Sequence, residues 1–511
     1  MNKVLSVAQV AEQYGLNLPD VVKPHINGAA ADVAGDPFRL THISPATEEP
    51  LYDVIECSQD TVDAAVVAAR RVADESPWPH LSHNERKKTL RRMIDAIATH
   101  ADELAAIQAL EVGLPLTGIH AMHMPRAMEN FDFFIEVAGT MGGEAYTQTG
   151  RYTSIVTREP AGVVALISPW NAPLVLSSMK LAAALALGNA TVIKASERSP
   201  YSLKRFVEIL HEADLPPGLI NLVNGRGHVT GKALVEHPGI DVVGFVGGTE
   251  TGKAIMASAA AGIKKVGLEL GGKSANIVLN DADLERAIDG SLLAILAGNG
   301  EQCLAGSRIL VERGIADTFI PRFVERLKNI RIGDPFDSAT ELGPMAFPEH
   351  RNKVLSYVDI ATSEGAELLC GGREAAGFER GLYIEPTAVR VTSNAARVCQ
   401  EEIFGPFVTI QVVADADEAI RLANESTFGL VSYVWSNDLP TVMAVSRQIK
   451  AGTVWVNTPL TRDLRAPFGG YKMSGVGRDG LHASIELMTE EKTTMLPNTP
   501  VVLPKLGKPQ G

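Results

Sequence analysis

The segment from 266 to 308 concentrates residue types that can do covalent chemistry. It reads VGLELGGKSANIVLNDADLERAIDGSLLAILAGNGEQCLAGSR: a short apolar strand ending in Glu269, a Gly-Gly turn, a second strand, an amphipathic helix and a glycine-rich bend presenting Cys303. A thiol can serve as a nucleophile and a carboxylate as a base, and each lies where regular structure gives way to glycine. The sequence therefore predicts that folding brings Cys303 and Glu269 together in an active site.

An isolated cysteine has a simpler interpretation, because it is more often a small buried hydrophobic residue. The residues around Cys303 favour catalysis, since Gly298, Gly300 and Gly306 let the backbone turn tightly on both sides of the thiol. Tight glycine turns are an uncommon way to build a core position.

Length and charge narrow the class of protein. A chain of 511 residues exceeds what one hydrophobic core usually serves, so two or three domains are expected. The 47 basic and 60 acidic residues give a net charge of −13, and no basic run occurs. The sequence therefore predicts neither a nucleic-acid partner nor a membrane partner.

Targeting and cysteine signals predict a cytoplasmic protein. No apolar run approaches the ~18 residues of a membrane span, and the N-terminal twenty residues lack the apolar block of a secretory signal. The four cysteines, Cys57, Cys303, Cys370 and Cys399, are far apart and have no CxxC or CxxxH spacing. Neither a disulfide framework nor a metal site is expected.

Hydrophobic periodicity divides the chain into blocks. Residues 61 to 138 have the spacing of amphipathic helices. Residues 140 to 160 read as a β-ribbon suited to pairing with another subunit. From 162 onward short apolar strands alternate with helices, which is typical of βαβ units and a parallel sheet, and the alternation restarts between 275 and 456 as a second α/β unit.

Polar residues follow several strands of the first α/β unit, where parallel sheets bind ligands. The turn FVGGTETG (245 to 252) opens a helix whose free N–H groups suit a phosphate, although such a turn is about as often plain geometry. Lys194 and Glu197 could bond a ribose diol and favour NAD over NADP, or form a surface ion pair. Asn171 could donate to an oxyanion, or merely form a turn between two prolines.

Eight ordered motifs resemble the NAD(P)-dependent aldehyde dehydrogenase superfamily and cover nearly the whole chain. They are PWNAP (169 to 173), KLAAALALGN (180 to 189), VIKASE (192 to 197), GFVGGTETG (244 to 252), LELGGKSANIV (268 to 278), GEQCLAGSR (300 to 308), EEIFGP (401 to 406) and PFGGYKMSGVGRDG (467 to 480).

The resemblance implies an aldehyde oxidation that proceeds through covalent adducts on a thiol. The Cys303 thiolate attacks the aldehyde, and the Asn171 amide and the Cys303 backbone N–H receive the oxyanion. The adduct then loses hydride to the nicotinamide, and Glu269 activates water to hydrolyse the resulting thioester. A thiol suits this chemistry because its adduct can lose hydride and its thioester hydrolyses easily.

The same resemblance implies a set of cofactor-binding residues and one further catalytic residue, Lys180. Ser168, Trp170, Lys194, Glu197, Gly248, Leu270, Glu402 and Phe404 are expected to bind NAD. Two departures stand out: Val246 and Gly248 replace a common Thr and Ser, which removes a hydroxyl near the phosphates. Asp479 stands where a Glu is common, which leaves a proton relay with Lys180 open.

The substrate prediction depends on two further segments, TRDLRAPFGG (461 to 470) and MPRAMENFDFF (124 to 134). They resemble the branch that oxidises semialdehydes from aromatic ring cleavage, particularly 5-carboxymethyl-2-hydroxymuconate and 2-hydroxymuconic semialdehydes. Arg126 and Arg465 could clamp the carboxylate of such a substrate. Alternatively, they form structural ion pairs with acids such as Glu129 and Asp463.

These inferences predict an α/β enzyme of the aldehyde dehydrogenase fold that acts on a small-molecule aldehyde. A Rossmann-type NAD-binding domain is expected at 1–139 and 161–269, a catalytic α/β domain at 270–480, and a small β bridging element at 140–160 and 481–511. The bridging element implies a homodimer or homotetramer. A dehydrogenase for non-carboxylated aromatic or aliphatic aldehydes, and an inactive nucleotide-binding or structural relative, are the alternatives.

Overall fold

The structure is a computed structural model that describes residues 3–35 and 37–507. Residues 1, 2 and 36 of the predicted NAD-binding domain and residues 508–511 of the predicted bridging element lie outside the described residues.

The strands of the described chain, in sequence order, are β1 Val21–Val22, β2 His25–Ile26, β3 Ala29–Ala30, β4 Arg39–Ile43, β5 Pro50–Ile55, β6 Glu144–Tyr146, β7 Tyr152–Pro160, β8 Val163–Ile167, β9 Ala190–Lys194, β10 Ile220–Val223, β11 Val242–Val246, β12 Lys265–Glu269, β13 Ala275–Val278, β14 Arg308–Glu312, β15 Glu367–Cys370, β16 Thr387–Arg390, β17 Phe407–Val413, β18 Val431–Trp435, β19 Thr453–Val456, β20 Gly475–Val476 and β21 Thr489–Pro497.

The α-helices are α1 Val7–Tyr14, α2 Gln59–Glu75, α3 His83–Thr99, α4 Ala101–Val112, α5 Leu116–Gly118, α6 Met124–Thr140, α7 Pro173–Ala186, α8 Pro200–His211, α9 Lys232–Glu236, α10 Thr249–Ala261, α11 Leu284–Leu296, α12 Arg313–Lys328, α13 Pro348–Ser363, α14 Arg397–Gln400, α15 Ala416–Asn424, α16 Leu439–Gln448 and α17 Leu481–Met488. The predicted helical block and both α/β units are therefore present. Within the described residues, the helices lack the combination of length and apolar composition that a membrane span requires.

An eight-stranded sheet has the order β20-β12-β11-β8-β9-β10-β2-β3, and β8 to β12 run parallel within it. Starting from β8, the chain adds β9 and β10 on one side and β11 and β12 on the other. The sheet therefore reverses its winding between β8 and β11, and open α/β sheets bind ligands at the carboxyl ends of strands at such a point. The five parallel strands are buried on both faces apart from the first two residues of β12, as their unbroken apolar runs predict.

A seven-stranded sheet of order β15-β16-β17-β14-β13-β18-β19 forms the second α/β unit. Separate buried clusters pack on its two faces, one including Phe319 and Phe323 of α12 and the other including Val442 and Val445 of α16. The link from β12 to β13 joins the two large sheets, and Glu269 is the last residue of β12. The chain returns to the first unit at β20, which pairs with β12, so residues 475–476 of the predicted catalytic domain lie in the eight-stranded sheet.

A three-stranded antiparallel sheet, β21-β7-β6, forms the ribbon predicted at 140 to 160 and adds the C-terminal strand to it. Helix α17 directly precedes β21, but its Ile485 and Met488 bury in the core of the eight-stranded sheet. Apolar burial therefore places residues 481–488 on the core of the eight-stranded sheet. Strand β21 is the part of the predicted C-terminal element that pairs with the ribbon.

Candidate active site

A cavity of about 360 Å³ opens at the winding reversal of the eight-stranded sheet. The carboxyl ends of β8, β9, β11 and β12 form one side of it, and loops preceding β14 and β17 form the other. The predicted site residues that line this cavity are Ser168, Trp170, Asn171, Lys194, Glu197, Gly248, Glu269, Leu270, Cys303, Glu402 and Phe404.

Cys303 lies on the loop between α11 and β14. Gly298, Asn299 and Gly300 all have left-handed backbone, with φ of 60°, 58° and 74°. The Asn299 side-chain amide donates to the carbonyls of Gly113 at 2.9 Å and Pro344 at 3.1 Å, which fixes this turn. Two of the three predicted glycines therefore serve the turn, whereas Gly306 serves packing, because a Cβ there would lie 3.1 Å from Ala294 Cβ.

Cys303 is the half-buried cysteine of the chain, and the other three thiols are buried. Its carbonyl oxygen lies so close to Gly272 that a side chain at 272 would collide with it. Burial, with the negative charges of Glu402 and Glu269, raises the pKa of the Cys303 thiol to about 12. The thiol is therefore protonated at neutral pH and needs a base before it can attack.

Glu269 ends β12 and is 6% exposed. Its Oε2 has no hydrogen-bond partner within the described chain, and its Oε1 lies 2.7 Å from where a Cβ on Gly469 would stand. Burial raises the pKa of Glu269 well above its usual value, the charge of Asp479 raises it further, and the charge of Lys180 opposes the shift. A buried carboxylate with a raised pKa and a free oxygen is suited to act as a general base at neutral pH.

Lys180 and Asp479 form a buried ion pair next to Glu269. Lys180 Nζ donates to Asp479 Oδ1 at 2.8 Å and to Oδ2 at 2.9 Å, and both side chains are 4% exposed. Asp479 is held in place by two backbone hydrogen bonds of 2.7 Å with Phe468. An aspartate at position 479, where a glutamate is common, is therefore long enough to reach Lys180. Lys180 itself does not line the cavity.

Asn171 follows β8 and points its amide across the cavity. Its Nδ2 donates to the carbonyl of Glu301 at 2.7 Å, two residues before Cys303. An amide nitrogen carries two hydrogens, so this bond leaves one N–H to donate and also orients it. Asn171 thus does more than form a turn: it ties the strand end to the nucleophile loop.

Lys194 and Glu197 line the part of the cavity next to β9. Strand β9 ends in Lys194, and the loop that follows carries Glu197. Lys194 Nζ is 3.4 Å from Glu197 Oε2, and the Lys194 side chain is 4% exposed. The alternative of a surface ion pair therefore does not hold for Lys194. Burial lowers the pKa of Lys194, and the charge of Glu197 works against this shift.

The opposite wall holds Glu402 and Phe404. Glu402 Oε1 accepts the backbone N–H of Gly272 at 2.7 Å, and a side chain at Gly271 would collide with this carboxylate. Phe404 has left-handed backbone, with φ of 66°, and His350 Nε2 donates to its carbonyl at 2.6 Å. Trp170 packs edge-on against Phe404, with ring centroids 5.4 Å apart.

These features fit a dinucleotide. The backbone at Gly248 begins α10 without a side-chain cap, and a Cβ there would meet nothing within 4 Å. The first N–H groups of α10 are therefore open to a phosphate. Gly248 and Val246 line the cavity without hydroxyls, so at these two positions only the backbone can contact a phosphate.

Neither arginine predicted to clamp the substrate lines the cavity that contains Cys303. Arg465 is 76% exposed and pairs with Asp463 at 2.7 Å, whereas Arg126 pairs with Glu129 at 3.3 Å. Both therefore make the structural ion pairs that were the alternative interpretation, because each has an acid two or three residues away.

Arg462 is an arginine that sequence reasoning missed. It contacts the ring of Phe468 at 4.8 Å, and its Nη1 donates to the carbonyls of Asp463 and Ala466, both at 2.9 Å. Burial lowers its pKa, and it feels the charges of Asp479, Arg126 and Glu269. The signal was in the segment TRDLRAPFGG, which carries two arginines, but only folding shows which one turns inward.

His350 and Glu301 were also missed. His350 lines the cavity and supports Phe404 as described. Glu301 is 1% exposed, and its Oε1 accepts the Ala346 N–H at 3.0 Å. Glu301 lies within the motif GEQCLAGSR, where its place two residues before Cys303 was the available signal. No sequence pattern marks His350, which takes its position from α13.

Comparison with known proteins identifies the family. The profile of the aldehyde dehydrogenase family matches residues 33–494. This chain belongs to the aldehyde dehydrogenase family. The predicted fold and enzyme class are therefore confirmed.

Relatives agree in sequence and in structure. The chain is 41% identical over 460 residues to 5-carboxymethyl-2-hydroxymuconate semialdehyde dehydrogenase of Escherichia coli, covering 89% of this chain and 96% of the relative. It matches the solved structure of HpcC from Thermus thermophilus with a TM-score of 0.93 and 40% identity, over 98% of each chain. It matches betaine aldehyde dehydrogenase of Staphylococcus aureus in complex with NAD+ with a TM-score of 0.94 and 36% identity, over 98% of this chain and 99% of that one.

Proposed function

We propose that this protein oxidises an aldehyde to the carboxylate with NAD, through a thiohemiacetal and a thioester on Cys303. The observation that carries the proposal is the placement of Cys303, Asn171 and Glu269 around one cavity together with residues suited to a dinucleotide. A thiol, an amide donor and a base are the groups that this reaction requires.

The first step forms a bond between Cys303 Sγ and the aldehyde carbon. The thiol has to lose its proton, and Glu269 supplies a base whose raised pKa suits that task. The oxyanion accepts hydrogen bonds from the N–H of Asn171 that Glu301 leaves free and from the backbone N–H of Cys303. NAD, held by the cofactor residues of the cavity, would supply the hydride acceptor, and loss of hydride from the adduct would leave a thioester on Cys303.

The second step hydrolyses the thioester. Glu269 first releases the thiol proton to solvent and becomes a carboxylate again. It then takes a proton from water, which attacks the carbonyl carbon, and Cys303 leaves as the thiolate. The buried Lys180–Asp479 pair sets the charge around Glu269, because Asp479 raises the pKa of Glu269 and Lys180 lowers it. A coenzyme-A-acylating reaction would not need this hydrolytic base, so we propose a non-acylating enzyme.

We assign the cofactor residues from the motifs that the chain shares with the aldehyde dehydrogenase family, and all of these residues line the cavity. Lys194 and Glu197 hold the adenosine ribose, and Gly248 at the start of α10 holds the pyrophosphate. Glu402 and Phe404 hold the nicotinamide ribose and ring, and Ser168, Trp170 and Leu270 complete the walls. On this assignment the eight-stranded sheet is the NAD-binding domain and the seven-stranded sheet the catalytic domain.

We propose a carboxylated semialdehyde from aromatic ring cleavage as the substrate. The Escherichia coli relative at 41% identity acts on 5-carboxymethyl-2-hydroxymuconate semialdehyde, by its name. Arg462 does not line the cavity that contains Cys303, but its positive charge acts on Glu269, and such charge would attract a substrate carboxylate. We therefore assign to Arg462 electrostatic attraction of the substrate, in place of the clamp that the sequence suggested for Arg465.

Steady formation of NADH, followed by its absorbance, tests both halves of the proposal. A panel should contain a 2-hydroxymuconate-type semialdehyde, benzaldehyde and betaine aldehyde, because a betaine aldehyde dehydrogenase is also similar at 36% identity. Activity on any of them that disappears in Cys303→Ala supports the reaction. Turnover of the non-carboxylated aldehydes alone would reject only the substrate class, and no turnover with NAD binding intact would indicate an inactive relative.

We further propose a cytoplasmic homodimer or homotetramer. The four cysteines are free thiols, which suits a reducing compartment. The sheet β6-β7-β21 leaves apolar side chains exposed, among them Met495 at 62%, and Val502 of the following tail is 95% exposed. Deletion of 498–511 should weaken association in analytical ultracentrifugation, and an unchanged sedimentation coefficient would contradict this role of the tail.

A further inference from the structure

One end of the cavity carries an arginine that is held away from it. Lys194, Ser196, Glu197 and Gly227 line this part, here called the ribose end. Arg226, the neighbour of Gly227, does not line it. Instead, Arg226 Nε donates to Glu56 Oε2 at 2.8 Å, and Arg226 Nη2 donates to Glu56 Oε1 at 2.8 Å.

Glu56 is the fixed member of this pair. Its carboxylate also accepts the backbone N–H of Arg226 at 3.0 Å, and its own N–H donates to the Phe38 carbonyl at 3.0 Å. The N–H of Cys57 donates to the carbonyl of Asn224 at 2.9 Å, so segment 56–57 is attached to segment 224–226. The side chain of Glu56 is 10% exposed and that of Arg226 is 36% exposed. The Arg226 guanidinium also lies over the ring of Phe38, 4.1 Å from its centroid. It is the more exposed member of the pair, so it is the part that has room to move.

The charges at the ribose end are balanced. Lys194 pairs with Glu197 at 3.4 Å, and Arg226 pairs with Glu56, so two cations face two carboxylates. NADP differs from NAD by a phosphate on the adenosine ribose, which carries about −1.5 to −2 charges near pH 7. A free guanidinium would be the best partner for that phosphate, because its planar fork matches two phosphate oxygens.

We propose that Glu56 is a specificity-determining residue that holds the Arg226 guanidinium away from a ribose 2′-phosphate and so favours NAD over NADP. The proposal rests on the proposed function, because it takes the cavity to be a dinucleotide site. On this proposal two carboxylates, those of Glu56 and Glu197, disfavour NADP, and they act in different ways. Glu197 opposes the phosphate directly beside Lys194, whereas Glu56 acts by withholding a cation.

Calorimetric titration of NAD+ and of NADP+ into the full-length protein without aldehyde tests this assignment. In Glu56→Gln, NADP+ should bind about tenfold more tightly than in the wild type, as expected for one gained charge-assisted contact. Binding of NAD+ should change by less than about threefold, since NAD has no phosphate for Arg226 to meet. In the double variant Glu56→Gln/Arg226→Ala, the gain for NADP+ should disappear.

Glu103→Gln is the matched control. Glu103 also binds an arginine through two hydrogen bonds, from Arg205 Nε at 2.6 Å and Nη2 at 3.2 Å, and it does not line the cavity. Glu103→Gln should therefore leave the affinities for NAD+ and NADP+ unchanged. If Glu56→Gln fails to fold, Glu56→Asp keeps the charge but shortens the reach, and it should give a smaller gain that also depends on Arg226.

The outcomes separate the two proposals. Wild-type protein that binds neither dinucleotide would reject the proposed function. Wild-type protein that binds NAD+, with a Glu56→Gln variant whose NADP+ affinity is unchanged, would overturn the role of Glu56 alone. A gain that persists in Glu56→Gln/Arg226→Ala would likewise overturn it, because the effect would then be simple removal of negative charge.

Discussion

Replacement of Asp479 by Asn isolates the charge of the buried pair beside Glu269. The two side chains have nearly the same shape, so the main change is loss of the negative charge that faces Lys180. Lys180 is 4% exposed and donates two hydrogen bonds to this one carboxylate, at 2.8 and 2.9 Å. The ammonium would remain buried without a counter-charge.

The expected cost is large because burial is nearly complete. Hydrogen bonds to charged groups contribute about 1.5–3 kcal/mol each, and removal of one partner of a buried ion pair typically destabilises by about 3–5 kcal/mol. We therefore expect Asp479→Asn to lower the free energy of unfolding by about 3–5 kcal/mol. A double variant, Lys180→Met/Asp479→Leu, removes both charges and should recover most of this loss.

Urea denaturation followed by tryptophan fluorescence measures the loss. Asp289→Asn is the matched control, since Asp289 pairs with Arg326 at 2.7 Å but the two side chains are 60% and 50% exposed. Exposed pairs contribute about 0–1 kcal/mol, so this control should remain near the wild type. An Asp479→Asn variant as stable as Asp289→Asn would refute the reasoning.

The same variant has a kinetic signature. The charge of Asp479 raises the pKa of Glu269, so its removal should lower that pKa. Glu269 acts as a base only when ionised, and the acid limb of the pH profile for thioester hydrolysis should therefore move to lower pH. A purely structural role for Asp479 would leave the limb in place.

Three further predictions concern the reacting groups. Asn171→Ala should lower kcat by about 10²–10³-fold, the usual effect of losing one oxyanion donor, and a loss below about threefold in steady-state assays would contradict its role. Iodoacetamide should label Cys303 before the three buried thiols, and the labelling rate should rise with pH, because burial and the nearby carboxylates raise the pKa of the thiol to about 12. Glu269→Gln should slow labelling at neutral pH, because the base that takes the thiol proton is gone. Labelling independent of pH would count against a protonated thiol. Arg462→Ala should raise KM for carboxylated semialdehydes about tenfold or more and leave KM for other aldehydes unchanged. Arg465→Ala should have little effect on KM, because Arg465 is exposed and paired with Asp463. A larger rise in KM for Arg465→Ala than for Arg462→Ala would instead support Arg465 as the clamp.

The order of the amino acids was enough to predict the secondary-structure elements and the chemistry of single residues. Apolar runs predicted the parallel strands, because strands covered on both faces need no polar alternation. Glycines marked the turn before Cys303, where Gly298 and Gly300 do adopt left-handed backbone. Eight motifs in order implied the family, and residues 33–494 match its profile.

Which charged groups meet depends on how the chain folds. Asp479 lies 299 residues from Lys180, and Arg226 lies 170 residues from Glu56, so no local pattern could pair them. The same limit explains Arg465: the sequence shows two arginines in one segment, but burial of Arg462 and exposure of Arg465 follow from how that loop packs against Phe468. Spacing along a chain fixes a side chain's direction only within one helix or strand, whereas the distance between elements depends on the packing of the whole core.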